Sequence, residues 1–281
     1  MGYRFALIGY PIKHSLSPWI HEEFLRKANL QGSYQINEIP LEGNFKEEIL
    51  KLKEQQVDGF NVTVPYKQKI IPFLDKIDES VEKVGAVNTV AYEKGKWVGY
   101  NTDGMGYVRS LESKFSDSLL NKEQRILLLG AGGAARGIFH GLIDNGFRYI
   151  DFANRTMDKA LSIRNSTAKP IHSNIMTLEE VEKHIHSYDM IIQTTSVGMN
   201  PNSEQSIINL ENIRAGSIIS DIVYQPIKTK FLKLGENYGG RIHFGHTMLL
   251  YQAQLAFEIW TGKKVKADTM DEKLQQILEG R

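Results

Sequence analysis

The chain contains no cysteine, which excludes disulfide bonds, thiolate metal ligands and a cysteine nucleophile, so any chemistry must use other groups. It also lacks an excess of either charge, because 34 basic residues balance 33 acidic ones to give a net charge of +1. A protein without a basic field has little bulk attraction for nucleic acid or for an anionic membrane. We therefore expect neither of these partners.

Long apolar runs are missing as well, and none approaches the roughly 18 residues of a membrane-spanning helix. The first residues show no basic segment and no small-residue cleavage pattern, so they read as a strand rather than a signal peptide. These absences predict a cytoplasmic protein. The eight histidines have no spacing typical of metal ligands, and we expect no metal site.

The chain has the composition of a globular protein, with 41% hydrophobic and 24% charged residues. Its length of 281 residues suggests two domains. Short apolar runs alternate with amphipathic segments, which predicts an α/β fold. The first hundred residues predict strands and helices at Phe5–Gly9, Pro18–Ala28, Tyr34–Ile39, Phe45–Gln55 and Gly59–Val64. Segments Val87–Tyr92 and Lys96–Tyr100 predict a hairpin, so this first sheet should be mixed.

A second α/β series follows the polar stretch from Ser113 to Gln124. Its strands are predicted at Arg125–Leu129, Tyr149–Ala153, Met190–Thr194 and Ser217–Ile222. The last forty residues predict two helices separated near Gly262, and their periodicity alone does not say where they dock.

A glycine-rich turn, Gly130-Ala131-Gly132-Gly133-Ala134-Ala135, joins the strand ending at Leu129 to a predicted helix. Glycines in this pattern allow a tight turn and close approach of a pyrophosphate to the backbone, while the helix start offers free N–H groups. The alternative is a purely structural turn. Because the strand and the helix are both present, we favour a dinucleotide-binding loop.

The strand after that helix ends at Asn154-Arg155-Thr156, with Lys159 one helical turn later. A cofactor without a 2′-phosphate is usually held here by an acid, whereas a phosphate favours arginine. Asp151 lies within the strand and Asp158 within the next helix, so neither takes that place. The pattern favours NADP over NAD. The alternative, two solvated cations, is disfavoured because helix starts prefer acidic residues.

Polar residues in the first region also lie where strands are predicted to end. Ser15 and Ser17 suit either a helix cap or a grip on a small carboxylate or polyol, and sequence leaves both open. Strand alternation should put Asn61 and Thr63 on one face and Val62 and Val64 on the other. Lys67 follows that strand, where a surface lysine is the usual interpretation.

Asn88 and Asp103 add two more polar side chains at predicted strand ends. Asp103 before Gly104 is typical of a helix cap or turn. If Asp103 faced Lys67, the ammonium and carboxylate would form a proton-transfer pair, but spacing alone does not show that they meet.

Together these residues resemble the shikimate dehydrogenase family over essentially the whole chain. The resemblance rests on short motifs in a fixed order: Ser15-Leu16-Ser17-Pro18, Asn61 to Lys67, Gly85 to Thr89, Asn101 to Gly104, Gly130 to Ala135, Asn154 to Thr156, Thr194 to Met199, Asp221 to Tyr224 with Pro226 and Thr229, Gly245 to Gln252, and Trp260-Thr261-Gly262.

The resemblance implies an α/β protein with a mixed-sheet substrate domain at residues 1–104 and a Rossmann NADP-binding domain at 105–240. Residues 241–281 would fold back as helices that complete the first domain. It implies reversible, NADPH-dependent reduction of 3-dehydroshikimate to shikimate in aromatic amino acid biosynthesis, by a monomer or homodimer.

The resemblance also assigns roles to individual residues. Lys67 and Asp103 would be catalytic. The substrate would be held by Ser15, Ser17, Thr63, Lys67, Asn88, Asp103, Tyr224 and Gln252. The cofactor would be held by Gly130, Ala131, Gly132, Gly133, Ala134, Asn154, Arg155, Thr156, Lys159, Ile222 and Gly245.

Two other functions remain open. One is a quinate/shikimate dehydrogenase that also uses NAD, which the presence of Arg155 disfavours. The other is a catalytically silent NADP-binding regulatory protein, which the presence of both Lys67 and Asp103 disfavours.

Overall fold

The computed structural model describes residues 2–280 and divides them into two compact units. The first comprises residues up to Thr102 together with 252–267, and the second comprises 103–251 together with the residues from Asp268 onward. Among residues 2–280, no helix has the length and apolar character needed to cross a membrane.

The first unit contains a six-stranded mixed sheet. Its elements are β1 (Tyr3–Gly9), α1 (Ser17–Lys27), β2 (Gly32–Glu38), α2 (Phe45–Glu54), β3 (Gly59–Val62), β4 (Lys76–Ile77), α3 (Glu79–Val84), β5 (Thr89–Glu93) and β6 (Lys96–Tyr100). The strand order is β2-β1-β3-β5-β6-β4. Strands β1, β2 and β3 are parallel, whereas β5 is antiparallel to both β3 and β6. The predicted mixed sheet is confirmed.

Two local features set the ends of these elements. The β5–β6 hairpin turns at Lys94 and Gly95, whose φ values of 49° and 83° match the left-handed conformation that a tight hairpin requires. Strand β3 is shorter than predicted, because it ends at Val62 and the chain then forms a turn in which the Tyr66 N–H donates to the Thr63 carbonyl.

The second unit begins with α4 (Asp103–Leu119) and contains a six-stranded, fully parallel sheet. Its elements are β7 (Arg125–Leu129), α5 (Gly133–Asp144), β8 (Tyr149–Ala153), α6 (Met157–Arg164), β9 (Ile175–Met176), α7 (Leu178–Glu182), β10 (Met190–Gln193), β11 (Ile218–Asp221), α8 (Lys230–Asn237) and β12 (Arg241–His243). The order β12-β11-β10-β7-β8-β9 is that of a Rossmann fold, with its switch point between β7 and β10.

Apolar side chains cover both faces of this second sheet, as a parallel sheet requires. Ile126 and Leu128 of β7 pack into one cluster with α4 and α5, while Leu127 and Leu129 pack into the cluster on the opposite face. Helices α4 and α5 approach very closely, since a Cβ at Gly104 would lie 2.1 Å from the Gly137 carbonyl oxygen.

The chain ends in α9 (Gly245–Thr261) and α10 (Met270–Leu278). The predicted domain limits at 104 and 240 differ from the observed units, because only 252–267 of the C-terminal residues pack with the first unit. The reason lies in the two ends of α9. Met248 packs into the second unit's core and His246 Nε2 lies 2.7 Å from Asp271 Oδ1, whereas the Trp260 ring stacks on Phe5 with centroids 4.4 Å apart.

Candidate active site

In the first unit, the polar residues converge on the side chain of Asn88, which is buried. The Asn88 Oδ1 atom accepts hydrogen bonds from the Thr102 N–H at 2.8 Å and the Thr89 hydroxyl at 3.0 Å. Its Nδ2 atom donates to Thr102 Oγ1 at 2.9 Å and to Gln252 Oε1 at 3.3 Å. These contacts fix which way the amide points and place the predicted residues Asn88 and Gln252 together.

A second amide supports the first from within the sheet. Asn61 on β3 is buried, and its Nδ2 donates to the Asn88 carbonyl and to Thr89 Oγ1, both at 3.2 Å. Its Oδ1 accepts from the Tyr34 hydroxyl at 2.8 Å. Tyr34 and Thr102 were not predicted as site residues. A tyrosine within a strand reads as core, whereas Thr102 could have been found from its place between Asn101 and Asp103.

The serine pair lies at the start of α1. Ser15 Oγ donates to Ser17 Oγ at 3.1 Å and accepts from the Ser17 N–H at 3.2 Å. The interpretation of Ser17 as the N-cap is wrong, because Leu16 has that position and Ser17 is the first helical residue, with no side-chain cap. The two hydroxyls are therefore neighbours at a helix start, which suits the predicted grip on a small polar ligand.

Thr63 and Lys67 follow β3 in the turn that ends the strand. The Thr63 N–H donates to the Ile8 carbonyl at 2.9 Å, and the Lys67 carbonyl accepts from the Val87 N–H at 2.8 Å, so both backbones are fixed. Lys67 is half-buried. The predicted alternation beyond β3 is wrong, since Val62 is 1% exposed but Val64 is 66% exposed, because the turn ends the strand's period of two.

Asp103 is the first residue of α4 and is partly buried. Asp103 therefore lies inside the helix and not at the predicted cap position, and the helix dipole stabilises an acidic residue in this first turn. Asp103 belongs to the second unit and Lys67 to the first. Their pairing stays a prediction.

The glycine-rich loop has the geometry expected for a pyrophosphate. Gly130 has a φ of 106°, and a Cβ there would lie 2.6 Å from Thr195 Cγ2. Gly132 is the N-cap of α5 with no side-chain cap, and a Cβ at Gly132 or Gly133 would meet no described atom within 4 Å. A bare helix start beside open space, with Ala131 and Ala134 adding only small side chains, fits an anionic group.

The segment after β8 carries the two predicted cations. Asn154 Nδ2 donates to the Thr156 carbonyl at 2.7 Å and closes the turn before α6, whose N-cap is Thr156. Arg155 and Lys159 are exposed, and neither side chain forms an ion pair or a hydrogen bond within residues 2–280. Both the guanidinium group and the ammonium group are therefore available to bind a phosphate at the carboxyl end of β8.

The last predicted residues lie at the end of β11. Gly245 opens α9 directly against this segment, since a Cβ there would lie 2.5 Å from the Ile222 carbonyl oxygen and 2.6 Å from that of Val223. Tyr224 is partly buried, and burial raises the pKa of its hydroxyl. The segment with Ile222 and Tyr224, and Gly245 packed against it, thus lie at the carboxyl end of the sheet, where ligands bind in open α/β folds.

Across the described part of the chain, no three histidine or acidic side chains come together as a metal-binding group.

Comparison with known proteins covers nearly the whole chain. The family model of the shikimate dehydrogenase substrate binding domain matches residues 7–90, that of shikimate/quinate 5-dehydrogenase matches 111–224, and that of the shikimate 5′-dehydrogenase C-terminal domain matches 245–275. Among curated proteins, the shikimate dehydrogenase (NADP⁺) of Oceanobacillus iheyensis is 52% identical over 277 residues, which is 98% of each chain.

Solved structures give the same result. The shikimate 5-dehydrogenase of Thermus thermophilus, in complex with NADP(H) and shikimate, has a TM-score of 0.85 and 30% identity over 98% of this chain and 99% of its own. That of Listeria monocytogenes, in complex with shikimate and NAD, has a TM-score of 0.87 and 31% identity over 97% and 96% of the two chains.

Proposed function

Because this chain belongs to the shikimate dehydrogenase family, we propose that it catalyses the reversible, NADPH-dependent reduction of 3-dehydroshikimate to shikimate. The observation that carries this proposal is the 52% identity to an NADP⁺-dependent shikimate dehydrogenase over 98% of both chains. The family model of the substrate binding domain supports substrate binding by the first unit, and the Rossmann strand order supports cofactor binding by the second.

The second unit holds the cofactor. The bare N-terminus of α5 at Gly132 and Gly133 receives the pyrophosphate, and the exposed cations Arg155 and Lys159 receive the 2′-phosphate. Ile222 and Gly245 border the nicotinamide half. Bound NADPH supplies a hydride to the ketone carbon of the substrate.

The first unit holds the substrate through groups whose directions are already fixed. The hydroxyls of Ser15 and Ser17 bind the carboxylate, while Asn88 and Gln252 bind ring hydroxyls. Because the Asn88 amide is locked by Thr102, its donor and acceptor cannot exchange places. Fixed polar groups of this kind discriminate strongly between substrates that do and do not complete their hydrogen bonds. Thr63 of the first unit and Tyr224 of the second unit complete the set of substrate-binding residues.

Lys67 supports the proton transfer. Its ammonium donates a hydrogen bond to the oxygen that becomes an alkoxide, stabilises the developing charge and delivers the proton. Asp103 orients the ammonium. The backbone on both sides of Lys67 is fixed by bonds between Tyr66 and Thr63 and between Lys67 and Val87, so the side chain starts from a defined position.

The experiment compares wild type with Lys67→Ala in shikimate oxidation, followed by the absorbance of reduced cofactor, with NADP⁺ and NAD⁺ in parallel. We expect wild-type turnover with NADP⁺ that falls by about 10² or more in the variant, with shikimate binding largely kept. Lys69→Ala, two residues along and exposed, is the matched control and should keep its activity.

Three results would contradict parts of the proposal. Tight NADPH binding without any turnover in wild type would favour a silent binding protein. Equal turnover with NAD⁺, or faster oxidation of quinate, would favour a broader quinate/shikimate dehydrogenase. Full activity of Lys67→Ala would remove Lys67 from the mechanism. The cytoplasmic location and the monomeric or homodimeric state stay predictions.

A further inference from the structure

Asp221, the last residue of β11, has a fully buried carboxylate that the mechanism above does not use. It accepts three hydrogen bonds, from the Thr229 hydroxyl at 2.6 Å, the Val223 N–H at 2.9 Å and Gln193 Nε2 at 3.2 Å. Within the described residues it has no ion-pair partner, so neutral donors alone surround it.

One of these donors connects Asp221 to the loop after β10. Gln193 lies beside Asp221 in the sheet register, and its Oε1 accepts from the Thr195 N–H at 2.5 Å and the Thr195 hydroxyl at 2.7 Å. Its Nε2 also donates to the Val197 carbonyl at 2.9 Å. Because the side chain of Thr195 lies against Gly130, this loop borders the glycine-rich turn.

The other two donors connect Asp221 to the loop after β11. The bond from the Val223 N–H closes a turn around Ile222, so Asp221 determines the position of the Ile222 backbone. Thr229 caps α8, accepting from the Leu232 N–H at 3.3 Å, and its hydroxyl donates to Asp221. Both ends of the 222–229 loop are therefore tied to one carboxylate.

We propose that Asp221 is a positioning residue for cofactor binding, which holds the loops 194–199 and 222–229 in the arrangement that receives the nicotinamide half of NADP. The inference rests on the proposed function in taking NADP as the ligand. Both loops follow strands at the carboxyl edge of the sheet, β10 lies at its switch point, and Rossmann folds bind dinucleotides there.

A carboxylate suits this position better than an amide, although it is costly to bury. Burial raises the pKa of Asp221 to about 7, which the bonds from Thr229, Val223 and Gln193 offset only in part. An ionised carboxylate presents acceptors alone on both oxygens, whereas a protonated carboxyl group carries an O–H donor that would face one of these three donors. In an asparagine that kept the bonds from Val223 and Gln193, the NH₂ group would face the Thr229 hydroxyl. That hydroxyl could then only accept from residue 221, and its own proton would lose the acceptor it has now.

The test is Asp221→Asn with Asp151→Asn as the matched control. Asp151 is also a buried aspartate of the same sheet, but it lies in the middle of β8 and accepts four hydrogen bonds, two from Asn174 and one each from Tyr188 and Arg125. NADPH dissociation constants are measured by cofactor fluorescence, and amide exchange of the substrate-free, cofactor-free protein is followed by mass spectrometry for the two loops.

We expect Asp221→Asn to weaken NADPH binding by about 10-fold, to raise KM for NADP⁺ without changing KM for shikimate, and to speed exchange in 194–199 and 222–229. Asp151→Asn should leave the NADPH dissociation constant within about two-fold of wild type. Unchanged NADPH binding in Asp221→Asn, or equal weakening in Asp151→Asn, would overturn the proposal.

A second pair of variants guards against failure of Asp221→Asn to fold. Thr229→Ser keeps the hydroxyl and should bind NADPH like wild type, whereas Thr229→Val removes it and should bind more weakly. Equal affinities in this pair would overturn the proposal as well. If wild type binds NADPH but does not oxidise shikimate, the proposed function fails while the NADPH comparison still decides the role of Asp221.

Discussion

Replacing Gly104 by alanine should destabilise the second unit through the crossing of α4 and α5. The added Cβ would lie 2.1 Å from the Gly137 carbonyl oxygen and 2.8 Å from its carbon. Both are backbone atoms of a buried helix, so no side-chain rotation can relieve the contact and the helices must separate. Overpacking of this kind lowers the free energy of unfolding by about 3 kcal/mol at the upper end of its usual range. The higher helix propensity of alanine offsets up to about 1 kcal/mol of that loss. The net loss should be about 2 kcal/mol.

The same crossing supplies a control. A Cβ at Gly137 would have its nearest contacts at 3.7 Å, an ordinary van der Waals distance, so Gly137→Ala should be neutral or stabilising by up to about 1 kcal/mol. The assay is thermal and urea unfolding followed by far-ultraviolet circular dichroism. We expect the melting temperature to fall by about 4–8 °C in Gly104→Ala and to stay level or rise in Gly137→Ala. Equal stabilities of the two variants would refute the reasoning.

Two further predictions concern the first unit. Gly59→Ala should cost about 1–3 kcal/mol, because its Cβ would lie 2.3 Å from Trp260 Nε1 while that ring is held by Phe5 and by a bond to the Val90 carbonyl. In a Trp260→Val background, where the indole is gone, the cost measured by urea unfolding should vanish; an undiminished cost would contradict the contact. Burial lowers the pKa of His21 to about 3, and its Asn61 neighbour offsets this only in part. Between about pH 3 and 6.5 the unfolded chain therefore binds a proton at His21 more readily than the folded protein does, so stability from His21 is lost as pH falls through that window. The free energy of unfolding should fall less between pH 7 and pH 4 in His21→Phe than in wild type. Parallel pH profiles of the two proteins would exclude this role.

Helices and strands with a clear hydrophobic period could be predicted from the sequence. Strands Arg125–Leu129 and Tyr149–Ala153 have the predicted limits, and the hairpin turn at Lys94 and Gly95 lies between the predicted strands Val87–Tyr92 and Lys96–Tyr100. In each case the signal is local, since apolar runs bounded by glycine or polar residues need no distant partner to be recognised.

Predictions failed where a contact other than apolar periodicity decided the conformation. The chain leaves β3 at Val62, earlier than the alternating pattern suggests, because the Tyr66 N–H bonds to the Thr63 carbonyl in a turn. Helix α9 appeared uniform in sequence, yet its two ends pack in different units. Apolar periodicity shows that a helix face is buried but not what covers it.

The sequence by itself determined the chemistry available to this protein: a glycine turn between strand and helix, cations without an acid after the next strand, and paired serines, amides and a lysine at strand ends. These are statements about residue type and short spacing, which the chain carries without folding. Only the tertiary structure decided which of these groups act together. The locked Asn88 amide joins residues up to 164 positions apart, and the Asp221 carboxylate joins two loops through the sheet register. Hydrogen bonds between distant segments depend on how strands pair and helices pack, and no local pattern encodes that pairing.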